Sequence, residues 1–185
     1  MKSGLTIRSD NAVAILAALK SIADKDVLVG IPEEKSERDD VPFGNAGIGY
    51  INENGSPKQN IPARPHLVPG VRSVQDQTTP ELRAAAQAAL SGNAAAADLA
   101  LNRAGVLAAN GVKRYITITN FTPLAESTLA ARASRGRKGA ALELERRAAG
   151  AAGAAPDNAN ARPLIDTGQY RRAITSVVRA KNANS

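Results

Sequence analysis

Cysteine and tryptophan are absent from this 185-residue chain, and histidine and methionine occur once each. Without a thiol there is no disulfide framework, no cysteine nucleophile and no thiolate metal site, a composition that suits folding in a reducing compartment. The lone imidazole, His66, gives little support to a zinc site or an ordinary Ser–His pair, and a single histidine more often packs than reacts. Aromatic residues make up only 3%, so base-stacking platforms for nucleic acid are scarce. Long apolar runs are missing too. Ala12–Leu19 is too short to span a bilayer and follows Asp10, and Met1–Ser9 is polar, so a soluble protein with no membrane partner is expected. Gly47-x-Gly49 lacks the third glycine of a dinucleotide loop, and no phosphate-cradling GxxxxGK[ST] occurs, so no cofactor and no small-molecule substrate are expected.

What is present is alanine and positive charge. Hydrophobic residues reach 43%, but alanine supplies much of that share and adds little apolar area per residue, so the private core is thin and association with neighbours is a natural supplement. Twenty-four Lys and Arg against 17 Asp and Glu give a net charge of +7. The positive charge gathers in Arg132–Lys138, Arg146–Arg147 and Arg171–Lys181. A solvated basic face, or one turned to an acidic protein, accounts for these clusters better than a dedicated DNA site.

The length suits a single domain over 1–185. Leu5 and Ile7 form a strand candidate, and Ser9 or Asp10 caps a helix carrying Val13, Ile15, Leu16, Leu19 and Ile22 at helical spacing. Val27–Ile31 reads as a strand closed by Pro32. Residues 33–43 are charged and punctuated by Pro42, the first flexible insertion. A short helix over Asn45–Asn54 stops at Gly55. Prolines 57, 62, 65 and 69 then make a rigid connector.

Helical pattern resumes at Val71, with a new start at Thr78-Thr79-Pro80-Glu81. Between Ala84 and Ala100 ten of seventeen residues are alanine, and Ser91-Gly92-Asn93 divides that run into two helices. The buried line of the second is expected through Leu101, Ala104, Ala108, Val112 and Tyr115. Tyr115–Thr119 also alternates as a strand would, although continuation of the helix is preferred. A helix over about Leu124–Ala133 follows. Residues 135–161 lack strong apolar periodicity and read as a second flexible insertion, with a loose helix around Leu142–Arg147. Ala173–Arg179 alternates as a terminal strand. The expected fold is α+β: a small, mostly antiparallel sheet of the N-terminal strands plus the C-terminal strand, packed against several helices, with long flexible loops.

Two motifs invite chemistry. Pro62 and Pro65 bracket Ala63-Arg64 and fix the direction of the arginine, whose fork suits a carboxylate or carbonyl oxygens. It either bridges to an adjacent subunit or to Glu53, or pins the connector to its own domain. Asp166-Thr167-Gly168 superficially matches the aspartic protease triplet, but one copy without an apolar frame favours a turn capped by Asp166, with Gly168 permitting the tight geometry. No enzymatic activity is expected.

Three segments, in this order, resemble the phage tail-component and virion-morphogenesis family of neck and tail-completion proteins. Ile48–Leu67, IGYINENGSPKQNIPARPHL, is similar to the family's helix ending in E-x-G followed by IPARPF-L, with His66 in place of the usual aromatic. Phe121–Arg132, FTPLAESTLAAR, resembles its aromatic-x-PL-S-x-x-T segment. Arg162–Val177, RPLIDTGQYRRAITSV, resembles its PL-x-DTG-x-L/Y-x-x-S-I segment, with Ala173 in place of the serine. Together they cover roughly a quarter of the chain.

The resemblance implies a structural subunit of the head–tail joint that assembles as a homo-oligomeric ring, six-fold by analogy, and joins or stabilises the tail end at the connector. Its partners would be other neck, connector and tail-terminator proteins, and its place the virion, after assembly in the bacterial host cytoplasm. Glu53, Arg64, Pro65, Asp166, Thr167, Arg171 and Arg172 are then expected at subunit or partner contacts. The alternative is a basic nucleic-acid-binding protein that touches phage DNA, which a steep salt dependence of binding would reveal.

Overall fold

Residues 11–38, 43–150 and 155–181 are described by a computed structural model. Helix α1 (Ala12–Ala23) leads into strand β1 (Lys25–Gly30), a 3-10 turn at Glu33–Lys35, and helix α2 (Asn45–Asn54). The proline connector follows, with a second 3-10 turn at Pro57–Gln59. Then come α3 (Leu67–Arg72), α4 (Gln75–Leu90), α5 (Ala94–Ile118), α6 (Glu126–Ser134), α7 (Lys138–Ala149), α8 (Gln169–Ala173) and β2 (Thr175–Ala180). This is an α+β fold whose small sheet, among the described residues, has two antiparallel strands. The expected first strand at Leu5 and Ile7 lies outside the described residues.

Helix α5 is the spine. Its inward side chains, Ala97, Ala100, Leu101, Ala104, Ala108, Val112 and Ile116, are buried at steps of three and four. The line ends on Ile116 and not on the expected Tyr115, because one further residue brings the side chain round to the core. Tyr115 instead sets its ring edge-on against Phe121, with centroids 6.1 Å apart. The helix persists through Ile118, so residues 115–118 are helical despite their alternation.

Small residues set how closely the layers approach. A Cβ on Gly70 of α3 would stand 2.6 Å from the Val112 Cα of α5, and one on Gly111 would stand 2.8 Å from the Gly70 carbonyl. On the sheet side, a Cβ on Gly105 would meet Ser176 Cβ at 2.8 Å. The sheet pairs Lys25 with Ala180 through to Gly30 with Thr175. Val27 and Val178, a cross-strand pair, pack on Ala85, Ala100 and Leu101, whereas the next pair, Leu28 and Val177, is exposed. Period-two alternation in the strand is therefore expressed as two distinct faces.

Helix ends follow local chemistry. Gly92, at φ 75°, lets its own N–H reach Ala89 and that of Asn93 reach Ala88, which closes α4, and Asn93 then caps α5 by accepting from Ala96 N. Gly136, at φ 80°, repeats the device, with Gly136 N bonding Ala133 O and Arg137 N bonding Arg132 O. Both are left-handed glycine terminators with the paired bonds of a Schellman motif. Helix α4 begins before the expected Thr78–Glu81 start, so Pro80 lies inside it. Thr79 Oγ1 donates to Gln75 O at 2.7 Å in that first turn.

The expectation for 135–161 needs correction. Its described residues include α7, twelve residues long and packed on α6 through Leu129, Ala140 and Leu144. The physical reason is ionic: Glu143 has no exposed side-chain surface and accepts from Arg146, Arg147 and Asn160. Apolar periodicity does not register a helix held by a buried carboxylate. In the earlier segment, Asn45 is buried and donates to Lys35 O at 3.0 Å, which ties the 3-10 turn to α2.

Substituting Gly70→Ala would force a methyl against the α5 backbone, where no side chain can swing away. Urea denaturation should show a loss of about 1–3 kcal/mol, and an unchanged midpoint would contradict the close α3–α5 approach.

Candidate functional site

The proline connector runs extended from Ile61 to the start of α3 and delivers Arg64 and His66 inward. Arg64 is 6% exposed. Its Nε donates to Thr122 O at 3.0 Å and its Nη2 to Pro123 O at 3.3 Å. Within the chain it therefore does not bridge to Glu53; it holds the backbone of the second motif segment. Burial and then neighbouring Arg132 lower its pKa, but a guanidinium starts so high that it stays charged.

Glu53, at the end of α2, has a different task. Its Oε2 accepts from His66 N at 2.7 Å and Leu67 N at 3.0 Å. These are N–H groups at the start of α3, where a carboxylate offsets both unpaired donors and the helix dipole.

His66 is fully buried. Its Nδ1 lies 2.7 Å from Arg64 O and 3.1 Å from Glu53 Oε2. A carbonyl only accepts, so Nδ1 carries the proton. Nε2 is then the acceptor for the Tyr170 hydroxyl, which lies within hydrogen-bond reach. Desolvation pushes the imidazole pKa down more than the Arg64 carbonyl and Glu53 raise it, which favours the neutral ring. Burial, aided by the Glu53 charge, raises the Tyr170 pKa and keeps the phenol protonated. The rings meet edge-on with centroids 5.6 Å apart. His66 thus takes up an aromatic packing position and adds a hydrogen bond.

The third motif segment is fastened by Arg132 of α6. Its Nη1 donates to Arg162 O and Ile165 O, both at 2.9 Å. Between those carbonyls Leu164 has φ 60°, a left-handed conformation that costs a non-glycine residue about 1–3 kcal/mol and persists where its surroundings over-determine it. Asp166 accepts from Arg135 at 2.8 Å and Arg137 at 3.0 Å. The turn is capped instead by Thr167, whose Oγ1 accepts from Gln169 N at 3.2 Å, while Gly168 at φ 77° precedes α8. Asp166 was expected to make that cap, but the two guanidinium groups of the α6–α7 turn hold its carboxylate. Both its oxygens are engaged by cations, the opposite of two carboxylates sharing a proton.

Of the remaining expected contact residues, Arg171 donates to Thr117 Oγ1 of α5 at 2.8 Å, Arg172 donates to Thr167 O at 3.3 Å, and Pro65 is exposed. Sequence reasoning missed Tyr170, Arg132, Glu143 and Asn158. The last is buried and donates to Phe121 O at 2.6 Å. Tyr170, Arg132 and Asn158 carry no local sequence signal, since each is defined by a partner far along the chain, whereas Glu143 has one in the i,i+3 and i,i+4 spacing of Arg146 and Arg147.

The three motif segments line one open cleft of about 1310 Å³. Among the described residues no three His, Asp or Glu side chains gather as a metal ion would require, and no helix is long and apolar enough to cross a membrane. Comparison with family models, curated proteins and solved structures finds no match to the chain.

Two measurements test this geometry. The single imidazole should titrate by NMR below its ordinary 6.5, and a value at or above that would contradict its neutral buried state. Because the folded pKa is depressed, the stability His66 contributes is complete above 6.5 and is lost as pH falls through the folded value. Glu143 is held from 4.5 down to about 2, chiefly by Arg146 against the cost of burial, so its contribution is complete above 4.5 and disappears toward about 2. The melting temperature should fall over both windows, and Glu143→Gln should flatten the lower one. Separately, Arg64→Ala leaves two carbonyls without their donors and should cost about 2–4 kcal/mol in chemical denaturation.

Proposed function

We propose that this chain is a non-enzymatic structural subunit of the head–tail joint of a tailed bacteriophage, a neck or tail-completion protein that assembles as a homo-oligomeric ring. The reading starts from the sequence resemblance, and one structural observation supports it most strongly. The three segments that carry the resemblance lie far apart in sequence yet interlock in space. Arg64 joins the first to the second, His66 and Tyr170 join the first to the third, and Arg132 joins the second to the third. They are parts of one structural joint, and their polar groups are spent on carbonyls, amides and each other.

The surface agrees with a subunit that neighbours complete. Val13 and Leu16 of α1 are 82% and 65% exposed, and no residue of that helix is buried. Among the described residues neither outer edge of the two-stranded sheet is paired, and such edges and apolar stripes suit docking by further copies. Several arginines of the basic clusters, Arg132, Arg146, Arg147 and Arg171, are engaged inside the chain, which weakens the nucleic-acid alternative.

Sedimentation velocity and negative-stain microscopy of the purified protein should show rings. Val13→Glu/Leu16→Glu should shift the population to monomer without lowering the melting temperature. A wild-type protein that stays monomeric at all concentrations, binds duplex DNA tightly with a steep salt dependence, or turns over a substrate as a monomer would overturn the proposal.

A further inference from the structure

The cleft between the proline connector and the α6–α7 turn is unevenly charged. Among the described residues, six arginines line it, Arg38, Arg64, Arg132, Arg135, Arg137 and Arg147, against two carboxylates, Glu126 and Asp166. Arg135 and Arg137 are 58% and 42% exposed, and each gives Asp166 one N–H out of the five a guanidinium carries. A single carboxylate therefore stands between two forked cations with donors to spare. Deeper in the cleft lining, Arg147 is 8% exposed and its Nη2 has no acceptor, although its Nε and Nη1 are bonded to Glu143 and Leu124 O. The same lining carries apolar side chains, Ile48, Ile51, Ile61, Pro62, Leu124 and Leu164, together with polar ones such as Asn52, Gln59 and Thr128.

We infer that this cleft is a docking groove for an extended, acidic segment of a partner protein, whose carboxylates engage Arg135 and Arg137 in place of Asp166 while intervening apolar side chains enter the aliphatic lining. The inference rests on the assembly reading for the partner's protein nature. Charge complementarity selects the sign. The presence of arginine forks and aliphatic side chains on one lining selects the chemistry, because successive side chains of an extended peptide point to opposite sides and can serve both. Its volume exceeds the roughly 300–1,000 Å³ of small-molecule sites. A nucleic-acid strand fits poorly, since it would need stacking surfaces and, among the described residues, the only aromatic ones on the lining are Phe43 and Tyr170, the second of them buried. In the unbound protein Asp166 acts as the placeholder for the incoming carboxylate.

The test uses the full chain and a short fluorescein-labelled peptide of alternating glutamate and valine, followed by fluorescence anisotropy. Its glutamine counterpart and a duplex DNA serve as controls. Arg135→Glu/Arg137→Glu should weaken binding by about tenfold or more, and the charge-matched Arg83→Glu/Arg114→Glu, outside the lining, should change it by less than about twofold. Asp166→Asn should tighten binding, because the placeholder is gone, whereas Asp76→Asn, equal in charge and outside the cleft, should not. A purely structural role for Asp166 predicts loss and not gain. The inference is overturned if both double variants weaken binding equally, if Asp166→Asn fails to tighten it, if the glutamine peptide binds as well, or if DNA binds more tightly with the same dependence on Arg135 and Arg137. Ring formation is scored separately in each variant. Intact rings with no peptide binding overturn the groove alone, and peptide binding without rings counts against the assembly reading and leaves the groove standing.

Discussion

Buried and partly buried guanidinium groups donating to backbone carbonyls hold the irregular half of this protein in place. An alanine-rich chain with few aromatics cannot anchor long connectors by burying large side chains, and unpaired carbonyls away from water are expensive. Arg64 on Thr122 and Pro123, Arg132 on Arg162 and Ile165, and Arg147 on Leu124 meet that requirement in three places. Each arginine supplies several donors at once, and its charge strengthens every bond it makes. The basic composition is thus in good part an internal structural resource.

That arrangement links the remaining parts. The connector holds α3 through Glu53 and the C-terminal segment through His66 and Tyr170. Helix α3 in turn nests against α5 at Gly70 and Gly111, so movement of the connector would be felt by the spine. The chemistry is that of a shaped solid. Its titratable groups are directed towards fixed charge states: a neutral imidazole, a protonated phenol and an ionised Glu143.

The regular elements were legible because their signals are local. The apolar spacing of α5, the Ser91-Gly92-Asn93 break, Gly55 after α2 and the alternation of β2 all act over a few residues. Helix α7 was illegible as packed structure because its organising residue is Glu143, which amphipathic spacing reads as surface. The fate of Arg64 was half legible: the prolines announced that it would be aimed, but its targets at Thr122 and Pro123 lie 58 and 59 residues away. Asp166 was misassigned for the same reason. Turn chemistry suggested a cap, and two arginines arriving from the α6–α7 turn claimed the carboxylate, leaving the cap to Thr167.

The register of the sheet carries a consequence for how the molecule comes together. Lys25 lies opposite Ala180, so the long stretch between them must exist before β1 gains the partner seen here. The helical pair α4–α5 is built from neighbours in sequence and can associate early, whereas the strand pair must close a loop that spans almost everything between. On a ribosome, β1 emerges long before β2 does. Its hydrogen-bonding edge then remains open to chance pairing until β2 has been made, a period in which a chaperone or a rapidly formed helical scaffold would decide the yield of correctly folded protein.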